Sequence, residues 1–364
     1  MKKVFSAMSG GVDSSVATLL LKQNGYDVSG VMLKMFETED TPSCAEACDA
    51  NSRTCCSFLD SNDARNVATK LGIPFYLLNY KDIFKNEVIS RFIEGYKNGI
   101  TPNPCIDCNR YVKFGALFDT LDKFEQDYLA TGHYSIIEYD KTSKRWLLKK
   151  STDITKDQSY VLYNLTQNQL SKTLLPLGKM TKNDVRDIAN ENGFINANKP
   201  DSQDICFVPN GKYTDFLAQN GINPKIGDIV NTEGEILGKH NGYFNYTIGQ
   251  RKGLGISSST PLYVCNIDAK NNIVTVGTED KTYKNSLIAK DINWVSIPNL
   301  QGSIKCNARV RYNSKEVPAV VHAVDDNKIC VEFLEKQKYI ANGQAVVLYD
   351  ENIVLGGGII CKAN

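Results

Sequence analysis

A glycine-rich turn near the N-terminus constrains the fold of this chain more than any other feature. The turn, residues 9–15, lies between a short apolar run at 4–8 and a periodic apolar run that begins at Val16. This order predicts a strand, a tight loop and a helix. Adjacent glycines let the backbone approach a ligand closely, and helix N-termini favour anions. We expect Ser14, Ser15 and the amides after them to donate to a phosphate or pyrophosphate; the alternative is a turn that only joins strand to helix.

The turn does not match a Walker A loop, because the pattern G-x-x-x-x-G-K-[ST] is absent. The pattern SGGxDS resembles instead the PP-loop of ATP pyrophosphatases, which cleave ATP between its α- and β-phosphates. The resemblance implies that ATP is the ligand.

Composition narrows the class of protein. The 364 residues allow two or three domains, and 42% hydrophobic with 23% charged residues is ordinary for a soluble globular chain. A net charge of +1 means that nucleic-acid binding has to come from local patches. We expect no signal peptide and no membrane partner. Eleven cysteines in such a chain predict a reducing cytosol, and hence a cytoplasmic protein.

The first 200 residues or so alternate between strand and helix patterns. Strands are predicted at 27–34, 73–79 and 128–131, and helices at 63–71, 82–98 and 111–123. This alternation predicts an α/β fold with a doubly wound parallel sheet. Ligands of such sheets bind outside the carboxyl ends of the strands. We therefore expect the glycine loop, Leu33 and the turn 130–133 around one crevice.

Three groups of cysteines are candidates for chemistry. Four thiols within thirteen residues suggest a zinc knuckle: Cys44, Cys48, Cys55 and Cys56. Because the adjacent cysteines are poor ligand geometry, a loop with incidental cysteines is favoured. Cys105 and Cys108 form a C-x-x-C motif, typical of redox, metal or nucleophile sites. Pro102 and Pro104 predict a loop there, with a helix from about Tyr111. Cys206 lies in another polar loop. The alternative to a chemical role is that Cys206 is a buried core residue, and sequence spacing alone does not pair it with Cys108.

From about residue 207 the pattern changes to short apolar runs separated by Gly, Asn and Asp. Strands are predicted at 231–237, 263–267, 273–276, 287–289, 304–312, 317–324, 329–334, 345–349 and 353–360. Asn271-Asn272 is a predicted hairpin turn. This pattern predicts an all-β region that ends in a small barrel.

Two basic stretches in this region could contact RNA. The loop 249–255 carries Arg251 and Lys252 between glycines, although a lone Arg-Lys pair is usually a solvated turn. The strand predicted to end at Tyr312 is basic and aromatic, a combination that suits RNA: Arg309, Arg311, Tyr312 and Lys315.

Seven motifs occur in one order along the whole chain: SGGVDSSV, TPNPCxxCNRxVKFG, ATGHY, KDQSYVLYNL, DSQDICFV, YTIGQRKGLGI and GQAVVLYDxxxVLGGGII. Together they resemble the bacterial tRNA-specific 2-thiouridylase family. The resemblance implies a PP-loop (HUP-type) ATP-binding catalytic domain at 1–206, a central tRNA-binding domain at 207–284 and a C-terminal tRNA-binding β-barrel at 285–364. It implies ATP-dependent 2-thiolation of the wobble uridine of tRNA.

The resemblance also implies roles for individual residues. The implied ATP site comprises Ala7, Met8, Ser9, Gly10, Gly11, Val12, Asp13, Ser14, Leu33 and Gly132. The implied target-base segment is Asn103, Pro104 and Cys105, and further tRNA contacts are His133, Lys156, Asp157, Gln158, Arg311, Tyr312 and Gln344. Cys108 is the implied nucleophile and Cys206 the implied persulfide carrier, and a disulfide joins them after sulfur transfer. Asp13 could hold Mg²⁺. The implied partners are tRNAs of the Lys, Glu and Gln type and a sulfur-donor protein.

Cys105 departs from the family pattern, because many members have an aspartate there. A thiol replaces a carboxylate as base or acceptor only when it is a thiolate. Cys105, Cys108 and Cys206 could instead bind an Fe–S cluster that leaves one iron open for sulfide. We favour the persulfide–disulfide route and keep the cluster as its alternative. Two alternative functions for the chain are those of another PP-loop ligase or amidotransferase and of a non-catalytic Fe–S or RNA-binding protein.

Overall fold

A computed structural model describes residues 1–36, 58–201, 204–208, 211–325 and 327–364. The predicted choice between a zinc knuckle and a loop at residues 44–56 lies outside the described residues. The chain divides into two compact units. The first comprises Met1–Ile89, Cys105–Gly211 and Asn352–Val354, and the second comprises Ser90–Pro104, Lys212–Glu351 and Leu355–Asn364.

Strands and helices alternate along the first half of the chain, and strands dominate the second. The strands are β1 (Lys3–Ala7), β2 (Asp27–Lys34), β3 (Phe75–Asn79), β4 (Tyr128–Ala130), β5 (Ile136–Asp140), β6 (Arg145–Lys149), β7 (Thr173–Leu174), β8 (Ile226–Val230), β9 (Ile236–Asn241), β10 (Tyr263–Asp268), β11 (Ile273–Gly277), β12 (Tyr283–Trp294), β13 (Ser303–Arg309), β14 (Val317–Asp325), β15 (Lys328–Lys338), β16 (Ala345–Asp350) and β17 (Ile353–Ala363). The helices are α1 (Val12–Gln23), α2 (Phe58–Leu71), α3 (Lys81–Phe84), α4 (Ser90–Lys97), α5 (Pro104–Asp107), α6 (Ser159–Leu162), α7 (Gln167–Ser171), α8 (Lys182–Glu191) and α9 (Tyr213–Gln219), with π-helical segments at Lys85–Ile89 and Cys108–Leu117.

The first unit is built on a parallel sheet, as predicted. Its strand order is β3-β2-β1-β4-β7, and each neighbouring pair is parallel. Val4 and Phe5 are adjacent along β1 and therefore point to opposite faces, yet both are fully buried. That is the pattern of a sheet covered on both faces. The α/β class is confirmed.

The strand order reverses beside β1, and this reversal places the glycine loop. From β1 the chain runs outward through β2 and β3, whereas β4 and β7 lie on the other side of β1. Open α/β sheets bind their ligands at such a switch point, outside the carboxyl ends of the strands. The loop after β1 and the turn after β4 both begin at this point.

The structure corrects the prediction for the C-x-x-C segment. Helix α5 begins at Pro104 and not near Tyr111, so Cys105 lies in the first turn of a helix and Cys108 begins a π-helical segment. Proline is tolerated at the first helical position because the N–H that it lacks has no intrahelical partner there. The predicted loop is therefore a helix start.

Among its described residues the second unit consists mainly of strands, with the helices α4 and α9, the first residue of α5 and two short 3-10 turns at Tyr243–Asn245 and Glu279–Thr282. Strands β8 to β11 form a sheet in the order β10-β11-β8-β9, and β12 to β17 form a barrel that the β12–β17 pairing closes. The predicted hairpin at Asn271-Asn272 is confirmed between β10 and β11, where Asn272 has φ +56°. Two strand predictions are wrong: residues 231–235 connect β8 to β9, and β13 ends at Arg309, before Tyr312.

Each sheet of the second unit has its own apolar core. One core surrounds Ile229, Val264 and Val274, and the barrel core surrounds Leu287, Val331 and Leu348. Within the described part of the chain, no helix has the length and apolar character that crossing a membrane requires.

Candidate ATP and sulfur-transfer site

Two glycines in the first unit stand where backbone segments approach each other. Gly10 has φ +76°, and a β-carbon there would lie 2.4 Å from the carbonyl oxygen of Asp60. A β-carbon at Gly132, in the turn after β4, would lie 2.7 Å from the amide nitrogen of Ser14. Side chains are therefore excluded at both positions. The glycine loop and the β4 turn meet at the N-terminus of α1, as the sequence predicts.

The serine hydroxyls of the loop shape it. The Ser14 hydroxyl accepts a hydrogen bond from the Ser9 amide at 3.1 Å and donates to the Gly11 carbonyl oxygen at 3.0 Å. The Ser15 hydroxyl also donates to Gly11, and the buried Asn196 amide donates to Ser15 and to the Gly10 carbonyl oxygen, each at 2.9 Å. Both hydroxyls are thus engaged within the loop, which makes the backbone amides the better donors for a ligand. Contact between the hydroxyls and a phosphate stays a prediction.

Helix α1 begins without a side-chain cap. Its N-cap residue, Gly11, makes no capping hydrogen bond, whereas α7 and α8 begin with complete capping boxes at Thr166 and Thr181. The first amides of a helix have no intrahelical acceptor and are normally satisfied by a cap, water or a ligand. An uncapped helix behind a glycine loop is therefore suited to a phosphate chain.

The rest of the predicted ATP site lies at the ends of the central strands. Ala7 ends β1 and is half-buried, Met8 and Val12 are buried, and Leu33 is buried one residue before the end of β2. The amide of Met8 donates to the carbonyl oxygen of Val31 at 2.8 Å, which holds the start of the loop against β2. Their contacts with the nucleotide stay a prediction.

Asp13 is bound by two donors. The ammonium of Lys182 lies 2.7 Å and 2.8 Å from its two carboxylate oxygens, and the Tyr134 hydroxyl donates to it at 2.8 Å. Burial, together with the Asp13 charge, raises the pKa of Tyr134 above its ordinary value. A magnesium ion could bind Asp13 only if Lys182 moved, so the Mg²⁺ role stays a prediction.

Lys182 also contacts Asp201, the first residue of the stretch 201–208 that carries Cys206 (the Cys206 segment). Its ammonium lies 2.7 Å from Asp201, whose other carboxylate oxygen lies 2.8 Å from Lys156. Burial would raise the pKa of Asp201, but hydrogen bonds from Lys156 and Lys182 lower it below its ordinary value. The sequence reasoning missed Lys182, because a lysine at a helix start normally points to solvent and no motif marked it.

The three candidate cysteines belong to the first unit and are present as thiols. Cys105 is exposed, Cys108 is buried and Cys206 is half-buried. Phe207, next to Cys206, packs edge-on against Phe84 of α3, with ring centroids 5.7 Å apart. Helix α3 in turn packs against the segment Cys108–Leu117. Phe207 and the segment Cys108–Leu117 thus both pack against α3, and the pairing of Cys206 with Cys108 stays a prediction.

The predicted tRNA positions of the first unit are mostly engaged within it. His133 is buried, and its Nδ1 lies 2.6 Å from the Thr131 hydroxyl. Asp157 is buried and accepts hydrogen bonds from Ser151 and Ser159. Gln158 accepts from the Tyr134 amide at 2.9 Å. These contacts order the loop 151–158, and RNA contacts there stay predictions.

In the second unit, Gln344 contacts the segment that leads to the predicted target-base residues Asn103 and Pro104. Its amide donates to the carbonyl oxygens of Thr101 at 2.9 Å and Pro102 at 3.3 Å. The amide of Thr101 donates to the carbonyl oxygen of Asn342 at 2.9 Å. The connection between β15 and β16 therefore holds the residues just before the target-base segment.

The basic residues after β13 form a turn. The guanidinium of Arg309 donates to the carbonyl oxygen of Tyr312 and lies over its ring. The guanidinium of Arg311 donates to the carbonyl oxygen of Ile248 at 3.1 Å. Arg311 thereby contacts the start of the loop 249–255, in which Arg251 is exposed. The two predicted RNA-binding stretches are joined in the structure.

One group of possible metal ligands occurs on the outer face of the barrel, among the residues that the structure covers. His322, Cys330 and Glu332 have ligand atoms within 4.8 Å of one another on β14 and β15. The imidazole of His322 and the carboxylate of Glu332 are both exposed and 4.0 Å apart, an arrangement that is common at protein surfaces without a metal.

Matches to known protein families and proteins cover nearly the whole chain. A family model described as tRNA methyl transferase HUP domain matches residues 2–210, a tRNA methyl transferase PRC-barrel domain matches 214–278 and an Aminomethyltransferase beta-barrel domain matches 284–360. The chain is 48% identical over 363 residues to the tRNA-specific 2-thiouridylase MnmA of Clostridioides difficile (strain 630), covering 100% of this chain and 99% of that protein. It is 49% identical over 362 residues to the protein of the same name from Halothermothrix orenii, covering 99% of each. The three domain matches and the identity of 48–49% over nearly the full length show that this chain belongs to the tRNA-specific 2-thiouridylase family.

Proposed function

We propose that this protein replaces the C2 oxygen of the wobble uridine of tRNA with sulfur, at the expense of ATP. The observation that carries the proposal is that one compact unit combines an uncapped glycine loop at the switch point of the sheet with Cys105, Cys108 and Cys206. A phosphate site alone fits many ATP-using enzymes, and the cysteines supply the means to transfer sulfur.

ATP activates the carbonyl. The C2 carbonyl of uridine is a poor electrophile, because the ring nitrogens donate electrons into it. Attack of its oxygen on the α-phosphorus forms an O–P bond and breaks the bond to the β-phosphate, so that pyrophosphate leaves. The backbone amides of Gly11, Val12 and Asp13 lie at the uncapped N-terminus of α1, where they would bind this leaving group and stabilise its charge. Mg²⁺ would neutralise the phosphates further.

The cysteines then deliver sulfur. The terminal sulfur of a Cys206 persulfide attacks C2, and AMP leaves with the original oxygen. The Cys108 thiolate attacks the Cys206 sulfur, the S–S bond to the transferred sulfur breaks, and its electron pair stays on the new thiocarbonyl. A Cys108–Cys206 disulfide remains, and two external thiols reduce it. This reduction suits the cytoplasm.

The same three thiols are the residues that would hold a cluster in the alternative route. Cys105 and Cys108 are three residues apart along a helix, so their side chains lie on one face, and Cys206 is the third possible thiolate. When bound, the cluster would offer an open iron that carries sulfide. In that case Cys105 is a ligand, whereas the sulfur transfer of the persulfide route uses only the thiols of Cys108 and Cys206.

Anaerobic purification separates the two routes. Iron and sulfide analysis with a visible spectrum should show a colourless, iron-free protein that thiolates tRNA under strict anaerobiosis, and Cys105→Ser should retain activity. A brown protein that loses both iron and activity in Cys105→Ser would establish the cluster instead.

Nucleoside analysis tests the function itself. The protein is incubated with ATP, tRNA of the Lys, Glu or Gln type and a sulfur-donor protein, and 2-thiouridine is measured. Cys108→Ser and Cys206→Ser should each abolish thiolation while ATP binding survives, and Cys265→Ser, a half-buried cysteine of the second unit, is the matched control. Full activity in Cys206→Ser would contradict the sulfur-transfer role and favour a ligase or amidotransferase. Absence of both ATP turnover and thiolation would favour a non-catalytic RNA-binding protein.

A further inference from the structure

We propose that Lys182 is a positioning residue that couples the ATP loop to the segment carrying Cys206. The inference rests on the proposed function for its meaning, since it concerns how the sulfur-carrying cysteine is held relative to the ATP site. Its support is the position of one ammonium group between two carboxylates that belong to different motifs: Asp13 of SGGVDSSV and Asp201 of DSQDICFV.

The location of Lys182 is unfavourable for a cation unless it is paired. Its side chain is only 9% exposed, and it is the first residue of α8, where the helix dipole disfavours positive charge. Its backbone amide donates to Asp153 at 3.1 Å, which fixes the start of the helix. Contacts of 2.7 Å with Asp13 and 2.7 Å with Asp201 offset the cost of burying the ammonium.

A buried ion pair of this kind is poor evidence for a purely stabilising role. A well-packed apolar side chain at such a position is often as stable as the pair or more so. The pair is therefore better explained by what it holds together. Asp13 lies in the first turn of α1 beside the predicted pyrophosphate, and Asp201 precedes Cys206 by five residues.

Loss of Asp201 and loss of Lys182 should have different effects. Loss of Asp201 releases the Cys206 segment but leaves the Lys182–Asp13 contact in place. Loss of Lys182 removes one of the two close lysine contacts that hold Asp201, and it also removes one of the two donors to Asp13 in the ATP loop. Arg186 offers a matched control, because its more exposed guanidinium lies 3.9 Å from Asp201, a longer contact made from the middle of the same helix.

Alkylation of Cys206 in the full-length protein tests the coupling without tRNA or sulfur. The rate is read for each cysteine by mass spectrometry, with Cys265 of the second unit as the internal reference, and ATP affinity is measured by calorimetry. Because the segment is released, Asp201→Asn and Lys182→Met should raise the alkylation rate of Cys206 by about threefold or more. Arg186→Gln should leave it within about 1.5-fold of the unchanged protein. Lys182→Met should also weaken ATP binding by about tenfold, whereas Asp201→Asn should change it by less than about twofold.

Two results would overturn the proposal. One is an unchanged Cys206 alkylation rate in Asp201→Asn, and the other is an equal loss of ATP affinity in Asp201→Asn and Lys182→Met. Lys182→Arg, which keeps the charge, should restore part of the protection of Cys206; failure to do so while Lys182→Met folds normally would also count against it. Because these readouts need neither tRNA nor a sulfur donor, they stay informative if thiolation itself is not found.

Discussion

Gly10 and Gly11 are adjacent, but the structure constrains them differently. Gly10 is in the left-handed region at φ +76° and its β-carbon would meet the backbone of Asp60, whereas Gly11 has φ −85° and its β-carbon would lie 3.5 Å from the Ser9 hydroxyl. We expect Gly10→Ala to lower the free energy of unfolding by about 2 kcal/mol or more, because strain and overlap add.

Thermal unfolding without ATP measures this effect apart from ligand contacts. Gly10→Ala should lower Tm by about 4 °C or more. Gly11→Ala is the matched control and should change Tm by less than about 2 °C. Equal shifts in the two variants would show that the close approach to Asp60 does not constrain the loop.

Burial of His133 makes the stability of the first unit depend on pH. Burial, with the nearby charge of Lys113, lowers the pKa of His133 well below its ordinary 6.5, so the folded imidazole stays neutral. The unfolded chain takes up a proton as the pH falls through about 6.5, and the folded state does not. The stability contributed by the neutral histidine is therefore complete above that pH and is lost as the pH falls below it.

Tm measured between about pH 7.5 and pH 5 checks this expectation. His133→Gln should have a shallower loss of Tm on the acid side than the unchanged protein. His322→Gln removes an exposed imidazole and is the control. Parallel Tm profiles for His133→Gln and the unchanged protein would contradict it. The slope is compared, and not the absolute Tm, because any substitution at a buried site shifts Tm.

At the scale of elements, the turn after β13 and the loop 249–255 act together. Gly249 and Gly253 have φ +87° and +77°, so the loop follows a conformation that only glycine adopts readily, and Arg311 holds its start through the Ile248 carbonyl oxygen. Removal of the guanidinium should free the loop as well as remove a positive charge. We therefore expect Arg311→Ala to weaken tRNA binding by about tenfold.

Lys315→Ala separates the two contributions of Arg311. Lys315 is exposed beside the same turn, so its loss should lower the salt dependence of tRNA binding by about one unit of slope. Trypsin cleaves after Arg251 and Lys252, both exposed. Cleavage there should be faster in Arg311→Ala and unchanged in Lys315→Ala. Unchanged cleavage and unchanged affinity in Arg311→Ala would refute the link between turn and loop.

Sequence patterns predict elements well where one local signal dominates. The alternation of apolar runs and helical periods places β2 at Asp27–Lys34, as predicted, and the strand–glycine–helix pattern places the ATP loop. The same reasoning misplaces the helix start at Pro104, because a proline that begins a helix and a proline that prevents one look alike in sequence.

At the scale of the whole molecule, what the sequence could not predict is contact between distant segments. Lys182 meets Asp13 across 169 positions of the chain. Gln344 meets Thr101 across 243 positions. No periodicity or turn signal encodes such pairs, because each partner satisfies its local pattern without the other. Family resemblance marks Gln344 as a tRNA contact but leaves its bond to the segment before Cys105 unseen.

This bond holds the residues that lead to the predicted target-base residues Asn103 and Pro104, all within the second unit. Thr101 is bonded to Asn342 and Gln344, and a β-carbon at Gly343 would lie 2.0 Å from the Ile100 side chain. Three consecutive residues of the barrel thus hold residues 100–102, and the chain then runs through Asn103 and Pro104 directly into the helix with Cys105. We expect Gln344→Met to misplace that segment and lower kcat for thiolation by about tenfold.

The ratio of two measurements distinguishes positioning from direct RNA contact. If Gln344 positions the segment, kcat falls while the Kd for tRNA stays within about twofold, since the RNA-binding surface is intact. If Gln344 contacts tRNA instead, Kd rises and kcat at saturating tRNA is kept. Gln337→Met is the matched control, because Gln337 is half-buried and donates to the carbonyl oxygen of Glu335 within its own strand. A rise in Kd alone for Gln344→Met would therefore assign Gln344 to the RNA and leave the segment to be held by Asn342 and Gly343.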